Sequence, residues 1–514
     1  MNKTVKKNSQ SLIKKRTFVL LSIQMGIVGV LGWKIRDLQI EDFERYSLLA
    51  EENRVNIRII PPKRGKIYDL KGNILADNQQ NYKITLIREE TNDPRKLLED
   101  LSLLLNFPKK SQKKILTELN KVSPFLPITV IENITWSEFS KVAANLPSLP
   151  GLITEVGLTR KYLKNETMAH LVGYLGPISK EDFKRFSRSD PLLKIPKFKI
   201  GKTGIERAKD KDLRGSPGVS RLEVNAKGRV MRELENIPGE SGKDFQLTVD
   251  TDLQEFSMYR TFNQSASIVV MNLKNGNIES LCSTPSFDPN KFIYGISKNE
   301  WNELLKSKKR PLSNKAVSDA YPPGSTFKMV VALAALESNN FDIEETINCN
   351  GYYEIGGRRF HCHRSTGHKK TNLIRSLKYS CDVYFYEIAR RIGIEKIAET
   401  AEKLGLNNKF DIPVSSISKG LIPNTSWQNN FLETKWRTGD TLNAGIGQGY
   451  VLATPLQLAV MTSRIATGRK IQPKLINAVD GIQSKNEYSK EKLEISEKSL
   501  KIVKRGMYAV VNEE

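Results

Sequence analysis

The feature that most constrains the fold is an apolar run that begins directly after a rigid turn. Residues 321–324 read Tyr-Pro-Pro-Gly, a sequence that interrupts a helix, and residues 329–336 are apolar on nearly every helical face. A helix that is apolar all round is stable only when other elements surround it, so this run predicts a buried helix inside a domain. Ser325 and Lys328 lie at its beginning, three residues apart and therefore on one face.

Two interpretations of Ser325 and Lys328 follow from that position. In the first, burial favours the neutral amine of Lys328, which accepts the proton of Ser325, while backbone N–H groups at the helix start bind an oxyanion. In the second, Ser325 caps the helix and Lys328 extends towards solvent. The spacing alone does not decide, because three other pairs share it: Ser11 and Lys14, Ser111 and Lys114, and Ser416 and Lys419.

A second apolar run lies close to the N-terminus. Residues 17–33 carry no charge, six basic residues precede them, and a tryptophan and two basic residues close the run. We expect an uncleaved single-pass membrane anchor over residues 17–35, since no small-residue cleavage site follows. The basic tail, residues 1–16, should stay in the cytoplasm, which puts the rest of the chain outside the plasma membrane. A buried soluble helix is the alternative.

The 514 residues are too many for one compact core, and the pattern of predicted secondary structure changes along the chain. Residues 36–240 mix short strand signals with Gly/Pro turns and helical stretches, which predicts an α+β domain. Residues 241–514 begin with a strand, a turn and a helix, continue with a hairpin over residues 265–284, and contain the buried helix. We therefore expect two domains outside the membrane, with a sheet beside the buried helix in the second.

The charge balance is strongly positive, with 81 Lys+Arg against 57 Asp+Glu for a net +24. The lysines are dispersed and lack an interleaved aromatic RNA-binding motif or a recognisable DNA-binding motif. This pattern argues against nucleic acid as a partner and is compatible with an anionic polymer or a membrane surface.

Six segments, in chain order, carry a family resemblance. Three fall in the first domain: PPKRGKIYDLKGNILA (61–76), RKYLKNETMAHLVGYLG (160–176) and GKTGIERAKDKDLRGSPG (201–218). Three fall in the second: TPSFDPNKF (284–292), PLSNKAVSDAYPPGSTFK (311–328) and NAGIGQGYVLATPLQLA (443–459). Together they resemble the class B penicillin-binding proteins, and most closely the rod-elongation type that is called penicillin-binding protein 2. The resemblance implies a membrane-anchored, extracytoplasmic α+β pedestal domain and an α/β transpeptidase domain with a central antiparallel sheet flanked by helices.

The implied activity is serine D,D-transpeptidation of peptidoglycan stem peptides during cell-wall elongation, with β-lactams as acylating inhibitors. The implied partners are a polytopic glycan polymerase and other proteins of the elongation complex, and no organic cofactor is expected. Ser325 would be the nucleophile and Lys328 its base. The segment 379–389 supplies a Ser-x-Asp element, in which Ser380 would relay a proton to the leaving amine and Asp382 would orient Lys328 or the substrate amide. A serine that merely caps the following helix is the alternative for Ser380.

A third family element, Lys-Thr-Gly, occurs only at residues 202–204, before the nucleophile, so we assign it to the third pedestal segment. In relatives the catalytic triplet follows the nucleophile by a long stretch, and this chain reaches Glu514 before one occurs. The expectation is a C-terminally incomplete transpeptidase domain whose activity is open. This feature keeps a non-catalytic scaffold for cell-wall synthesis as an alternative to the enzyme. A second alternative is a β-lactam sensor with the same acylation chemistry and a signalling output.

Three cysteines and a histidine cluster around the Ser-x-Asp element: Cys349, Cys362, His368 and Cys381. Three thiolates and an imidazole suit a closed tetrahedral Zn²⁺ site, and elongation-type relatives resemble this with a zinc-binding loop at the corresponding place. A structural Zn²⁺ that holds the catalytic loop is therefore expected.

The alternatives to zinc are a Cys349–Cys362 disulfide, which an oxidising compartment would favour, and unliganded thiols. His361 and His363 are rival ligands to His368. Cys282 lies apart from the cluster in a strand and should pack as a small apolar residue.

Overall fold

The structure is a computed structural model of the chain, and it describes residues 20–21, 23–36, 55–122, 124–184, 190–195, 197–225, 230–338, 341–484 and 491–513. The predicted basic tail, residues 1–16, lies outside these ranges. So do the first residues of the predicted anchor and the beginning of the predicted pedestal domain.

The described strands are numbered here in chain order. They are β1 (Val55–Ile60), β2 (Ile67–Tyr68), β3 (Ile74–Leu86), β4 (Ile128–Ile134), β5 (Leu152–Tyr162), β6 (Leu175–Pro177), β7 (Lys199–Gly201), β8 (Gly218–Val224), β9 (Val230–Ile237), β10 (Phe245–Leu247), β11 (Ala266–Met271), β12 (Ile278–Thr284), β13 (Ile347–Cys349), β14 (Tyr352–Ile355), β15 (Arg358–His361), β16 (Lys369–Thr371), β17 (Ile476–Val479) and β18 (Ile482–Gln483).

The helices from residue 55 onwards are numbered in the same way. They are α1 (Pro94–Leu104), α2 (Lys109–Leu119), α3 (Trp136–Asn145), α4 (Asn165–Val172), α5 (Gly204–Ala208), α6 (Asp210–Arg214), α7 (Thr251–Arg260), α8 (Asn290–Tyr294), α9 (Lys298–Lys306), α10 (Lys328–Leu336), α11 (Leu373–Lys378), α12 (Asp382–Lys403), α13 (Thr425–Leu432), α14 (Thr438–Gly445), α15 (Pro455–Thr467) and α16 (Glu497–Asn512).

The region of the predicted anchor is helical where it is described. Residues 23–36 form a helix whose apolar side chains are exposed, Met25 to 77%. Within the described ranges, no helix combines the length and the hydropathy that crossing a bilayer requires.

The head lobe, residues 87–151, sits on the long strand β3 of the pedestal. β3 pairs antiparallel with β5 without a break, from Ala76 opposite Tyr162 to Leu86 opposite Leu152, and β4 pairs with the distal half of β3. Helices α1, α2 and α3 cover this end of the sheet and close a hydrophobic core of their own with the strand residues. The local sequence explains α1, because Asp93 accepts hydrogen bonds from the first-turn N–H groups and a proline follows it.

The sheet continues from the pedestal into the second domain. Its order is β18-β17-β10-β2-β3-β4, with β5 also on β3. β10 pairs parallel with β2 of the pedestal and antiparallel with β17 of the second domain. A second hydrophobic core contains Ile67 and Leu75 from the first side together with Leu281 and Leu456 from the second. The two domains therefore share a sheet and a core at the junction that we predicted near residue 240.

The second domain is built around α10, as the apolar run predicts. Every side chain from Val330 to Ala335 is buried, and α12, α11 and α16 pack around the helix. The predicted hairpin over residues 265–284 is present as β11 and β12, with α7 against β12 and α15 against β11. In the described residues this antiparallel sheet has two strands, flanked by helices.

Candidate active site

A short turn presents Ser325 at the start of the buried helix. Gly324–Phe327 form one 3₁₀ turn that runs directly into α10. Gly324 has φ 57°, and its N–H donates to Gly447 O at 2.9 Å, so the turn is tied to the 443–459 segment. Ser325 is exposed while Phe327 is buried. No side-chain capping bond occurs at the beginning of the turn or of α10, so Ser325 is not a helix cap.

Ser380 lies between Ser325 and Lys328. Its Oγ is 2.9 Å from Ser325 Oγ and 3.0 Å from Lys328 Nζ. Lys328 Nζ also donates to Ser380 O at 2.8 Å and to Asp382 Oδ1 at 2.6 Å, and it makes no direct hydrogen bond to Ser325. We expected Lys328 to take the serine's proton directly. The geometry instead connects the two through the hydroxyl of Ser380.

The backbone of Ser380 adopts a conformation that serine rarely takes. Its φ is 53°, in the left-handed region, which costs an L-residue roughly 1–2 kcal/mol. Hydrogen bonds from Ser380 N to Leu377 O at 3.2 Å and from Cys381 N to Ser376 O at 2.9 Å hold the loop. The N-cap of α12 is Cys381, without a side-chain capping bond. The capping alternative for Ser380 is therefore wrong.

Asp382 is held from two sides. Its Oδ1 accepts from Lys328 Nζ, and its Oδ2 accepts from His363 N–H at 2.8 Å and lies 3.3 Å from His363 Nδ1. Burial alone would raise the pKa of Asp382, but the charge of Lys328 and these hydrogen bonds hold it below its ordinary value. Of the two roles considered for Asp382, the contacts favour orientation of Lys328.

The four cluster residues predicted from sequence come together beside this loop. Cys349, Cys362, His368 and Cys381 are all buried, and each offers a ligand atom within 4.8 Å of the other three. His368 Nδ1 lies 3.8 Å from Cys349 Sγ and 3.6 Å from Cys362 Sγ. Zn–S bonds of about 2.3 Å and Zn–N bonds of about 2.0–2.1 Å in a tetrahedron separate sulfur from nitrogen by about 3.5 Å. The residues present therefore fit a tetrahedral ion.

Backbone packing brings the loops of this cluster close to one another. A Cβ at Gly367 would meet Cys349 O at 2.0 Å, so only glycine permits this approach of the His368 loop to the end of β13. A hydrogen bond from the Cys381 thiol lowers the pKa of Cys362 against the effect of burial, which favours the thiolate that metals bind. All four cysteines of the chain are free thiols in the structure.

The remaining candidates lie outside the four-residue cluster. His361 is exposed at the end of β15, and His363 faces Asp382. Cys282 is fully buried against Met258, as expected of a small apolar residue. Lys202 forms an ion pair with Asp182 inside the pedestal, which agrees with its assignment away from catalysis.

Two family models match the chain. Residues 59–247 match the penicillin-binding protein dimerisation domain, and residues 266–514 match the penicillin binding protein transpeptidase domain.

Relatives with established names match nearly the whole chain. It is 33% identical over 516 residues to the peptidoglycan D,D-transpeptidase MrdA of Haemophilus influenzae, covering 99% of this chain and 79% of that protein. The structure of a complex between the penicillin-binding protein PBP2 and MreC from Helicobacter pylori matches with a TM-score of 0.77 and 29% identity, covering 90% of this chain and 85% of that one. A structure described as the coordination of polymerization and crosslinking by a peptidoglycan synthase complex matches with a TM-score of 0.67 and 27% identity, covering 97% and 85%.

Proposed function

Since this chain belongs to the penicillin-binding protein transpeptidases, we propose that Ser325 is the nucleophile with which it cross-links peptidoglycan. It is a serine-type peptidoglycan D,D-transpeptidase of cell-wall elongation, and β-lactams are its inhibitors. The observation that carries the assignment of Ser325 is the contact of its Oγ with Ser380 Oγ, which in turn contacts the buried Lys328 Nζ.

The proposed reaction is acyl transfer through an ester on Ser325. Ser325 Oγ attacks the carbonyl carbon of the penultimate D-alanine of a stem peptide, and the C–N bond to the terminal D-alanine breaks. Lys328 acts in its neutral amine form: it takes the serine's proton through Ser380 Oγ and, as the resulting ammonium, gives it to the departing amine. An amine of a neighbouring stem peptide then attacks the ester, returns its proton along the same route and restores Ser325.

Covalent labelling with a fluorescent penicillin tests this assignment. We expect the unmodified chain to be labelled and Ser325→Ala to be unlabelled. Ser111→Ala is the matched control, because Ser111 and Lys114 have the same spacing, and it should label normally. Equal labelling of Ser325→Ala would refute Ser325 as the nucleophile, and absence of labelling in every variant would favour the scaffold over the enzyme.

A structural Zn²⁺ is the second part of the proposal. Cys349, Cys362, His368 and Cys381 would hold it, and the fit of their donor atoms to a tetrahedron supports this. With four protein ligands the ion has no open position, so its contribution when bound is to fix the loops that carry Ser380 and Asp382.

Metal content and thermal stability test the zinc proposal without reference to activity. We expect one zinc per chain, less than one in Cys349→Ser, and a lower Tm after chelation. Cys282→Ala, which changes the cysteine outside the cluster, should keep the full zinc content. A chain without zinc in which two of these cysteines resist thiol reagents until reduced would show the disulfide instead.

Anchoring and partners complete the proposal. The uncharged run at residues 17–33 with its basic flank supports a single-pass plasma-membrane anchor that leaves both domains outside the cytoplasm. The relatives solved with MreC and in a peptidoglycan synthase complex support elongation-complex proteins and a glycan polymerase as partners.

Replacing three apolar residues of the run 17–33 by lysine should release the chain from the membrane fraction and abolish co-purification with the polymerase. Retention of both would contradict the anchor.

A further inference from the structure

The catalytic loop, residues 376–382, and the cysteine-rich loop, residues 349–368, meet at one hydrogen-bonded pair. His363 follows Cys362 in the chain, and Asp382 follows Cys381. These two following residues contact each other, with Asp382 Oδ2 2.8 Å from His363 N and 3.3 Å from His363 Nδ1. One residue therefore brings both a backbone donor and a ring nitrogen to the same carboxylate oxygen.

The other carboxylate oxygen of Asp382 is also hydrogen-bonded. Asp382 Oδ1 lies 2.6 Å from Lys328 Nζ, and the two further hydrogen bonds of Nζ go to Ser380 O and Ser380 Oγ. A carboxylate with only one well-held oxygen rotates about its Cβ–Cγ bond. With Oδ2 held by His363, rotation would break both hydrogen bonds to Oδ2 together with the bond from Lys328 to Oδ1, so the plane of the carboxylate and the position of Nζ are both restrained.

Packing does not account for His363. Its side chain is 54% exposed, whereas Asp382 is 12% exposed and Lys328 is 2% exposed. The ring contributes little buried area. Its centroid lies 5.1 Å from that of His368 and its Nδ1 lies 3.9 Å from Cys362 Sγ, and it contacts the buried ion pair, which its exposed neighbour Arg364 does not. The guanidinium of that neighbour donates to Thr366 in the same loop.

We propose that His363 is a positioning residue for acylation, whose imidazole donates from Nδ1 to Asp382 Oδ2 and thereby holds Lys328 against Ser380. The proposal rests on the roles given above to Ser325, Ser380 and Lys328. It assigns to the ring a task that neither the backbone N–H of residue 363 nor the four cluster ligands perform.

The test compares three variants by the kinetics of acylation with a fluorescent penicillin. His363→Ala keeps the backbone N–H and removes the ring donor, and it should slow the acylation step about tenfold or more, with reversible affinity for the penicillin unchanged. His363→Asn places an amide N–H where Nδ1 lies and should recover most of the rate. Arg364→Ala is the matched control and should acylate like the unmodified chain.

Zinc content and Tm are measured on the same samples. Unchanged values in His363→Ala, together with recovery in His363→Asn, support a positioning role. Acylation of His363→Ala at the unmodified rate overturns it, and so does an equal loss in the alanine and asparagine variants. Loss of zinc in His363→Ala also overturns it, because the residue would then act on the cluster. Ser325→Ala distinguishes failure of the proposed function from failure of the role of His363. If Ser325→Ala is still labelled, the proposed function has failed. If Ser325→Ala is not labelled while His363→Ala acylates at the normal rate, only the role of His363 has failed.

Discussion

Ser380 combines a strained backbone with the central position in the proton route. Its left-handed φ of 53° favours glycine, whereas its hydroxyl contacts both Ser325 and Lys328. We expect Ser380→Gly to lower the acylation rate by on the order of 10²–10⁴ because the relay is lost. Its Tm should change little, because relief of the strain offsets the greater chain entropy of glycine. Stopped-flow labelling and thermal unfolding measure the two effects, and an unchanged acylation rate would contradict the relay.

Glu387 ties the cysteine-rich loop to α12 and makes stability depend on pH. Burial would raise its pKa, but hydrogen bonds from Arg390, Tyr353 and Arg391 lower it to about 2 from an ordinary 4.5. A depressed pKa stabilises the fold above the ordinary value, and this contribution is lost as the pH falls from about 4.5 towards 2.

We therefore expect Tm to fall less between pH 6 and pH 3 in Glu387→Gln than in the unmodified chain. Glu399→Gln, on an exposed face of the same helix, is the control and should keep the steeper loss, since exposed pairs contribute little. Parallel Tm–pH curves for Glu387→Gln and the unmodified chain would show that Glu387 does not couple folding to pH.

At the residue scale, sequence reasoning found the groups but not their connections. Ser325 and Lys328 were recognisable from an apolar helix and a rigid turn, and the family resemblance added Ser380 and Asp382. The route through Ser380 was not predictable, because it depends on how a loop 55 residues further on meets the nucleophile. His363 was considered only as a rival ligand, since the chain order does not reveal its contact with Asp382.

The approach of two helices depends on one glycine in α16. A Cβ at Gly506 would lie 2.5 Å from Leu377 Cδ1 of α11, the helix that leads into Ser380. We expect Gly506→Val to destabilise the fold by about 1–3 kcal/mol through overpacking and to slow acylation. Combining it with Leu377→Ala should cost less than the sum of the single changes, because the contacts with Cδ1 and Cγ are then removed and only the contact with Cβ at 3.0 Å remains.

Lys501→Val is the control for this element, because residue 501 is exposed on the same helix. We expect it to change stability by no more than about 0.5 kcal/mol. Urea unfolding of the single and double variants gives the comparison, and strict additivity of Gly506→Val with Leu377→Ala would show that the two residues do not interact.

The elements themselves were largely predictable. The hairpin β11–β12 and the buried helix α10 coincide with segments identified by their apolar pattern or turn residues. The pairing of β10 with β2 and β17 was not, because β2 has only two residues and β10 three, too few to show a periodicity. Their partners are distant in the chain, and only tertiary packing selects them.

At the scale of the whole molecule, the core shared by the two domains predicts which pedestal mutations also destabilise the transpeptidase domain. Ile67 and Leu98 are both fully buried pedestal residues, but Ile67 lies in the shared core and Leu98 in the core of the head lobe. Either substitution by alanine should cost about 2–5 kcal/mol locally. We expect Ile67→Ala to lower the temperature at which penicillin labelling is lost by several degrees, whereas Leu98→Ala should leave it unchanged.

Limited proteolysis completes this comparison, because cleavage within residues 87–151 should increase in Leu98→Ala. That result shows that the variant did weaken the head lobe. If both variants lower the labelling temperature equally, the head lobe is coupled to the active site as tightly as the shared core is.

The uninterrupted pairing of β3 with β5 has a consequence for the evolution of this architecture. Because Leu86 lies opposite Leu152, the head lobe enters and leaves the pedestal at adjacent points, and its core is made from its own residues and the strand ends next to them. It is an insertion at the tip of a hairpin, the kind of site where recombination can exchange whole segments. A change in the length of this lobe should therefore leave the β3–β5 register below it intact. Exchange of a whole domain at the junction near residue 240 would instead separate strands of one sheet and residues of one hydrophobic core.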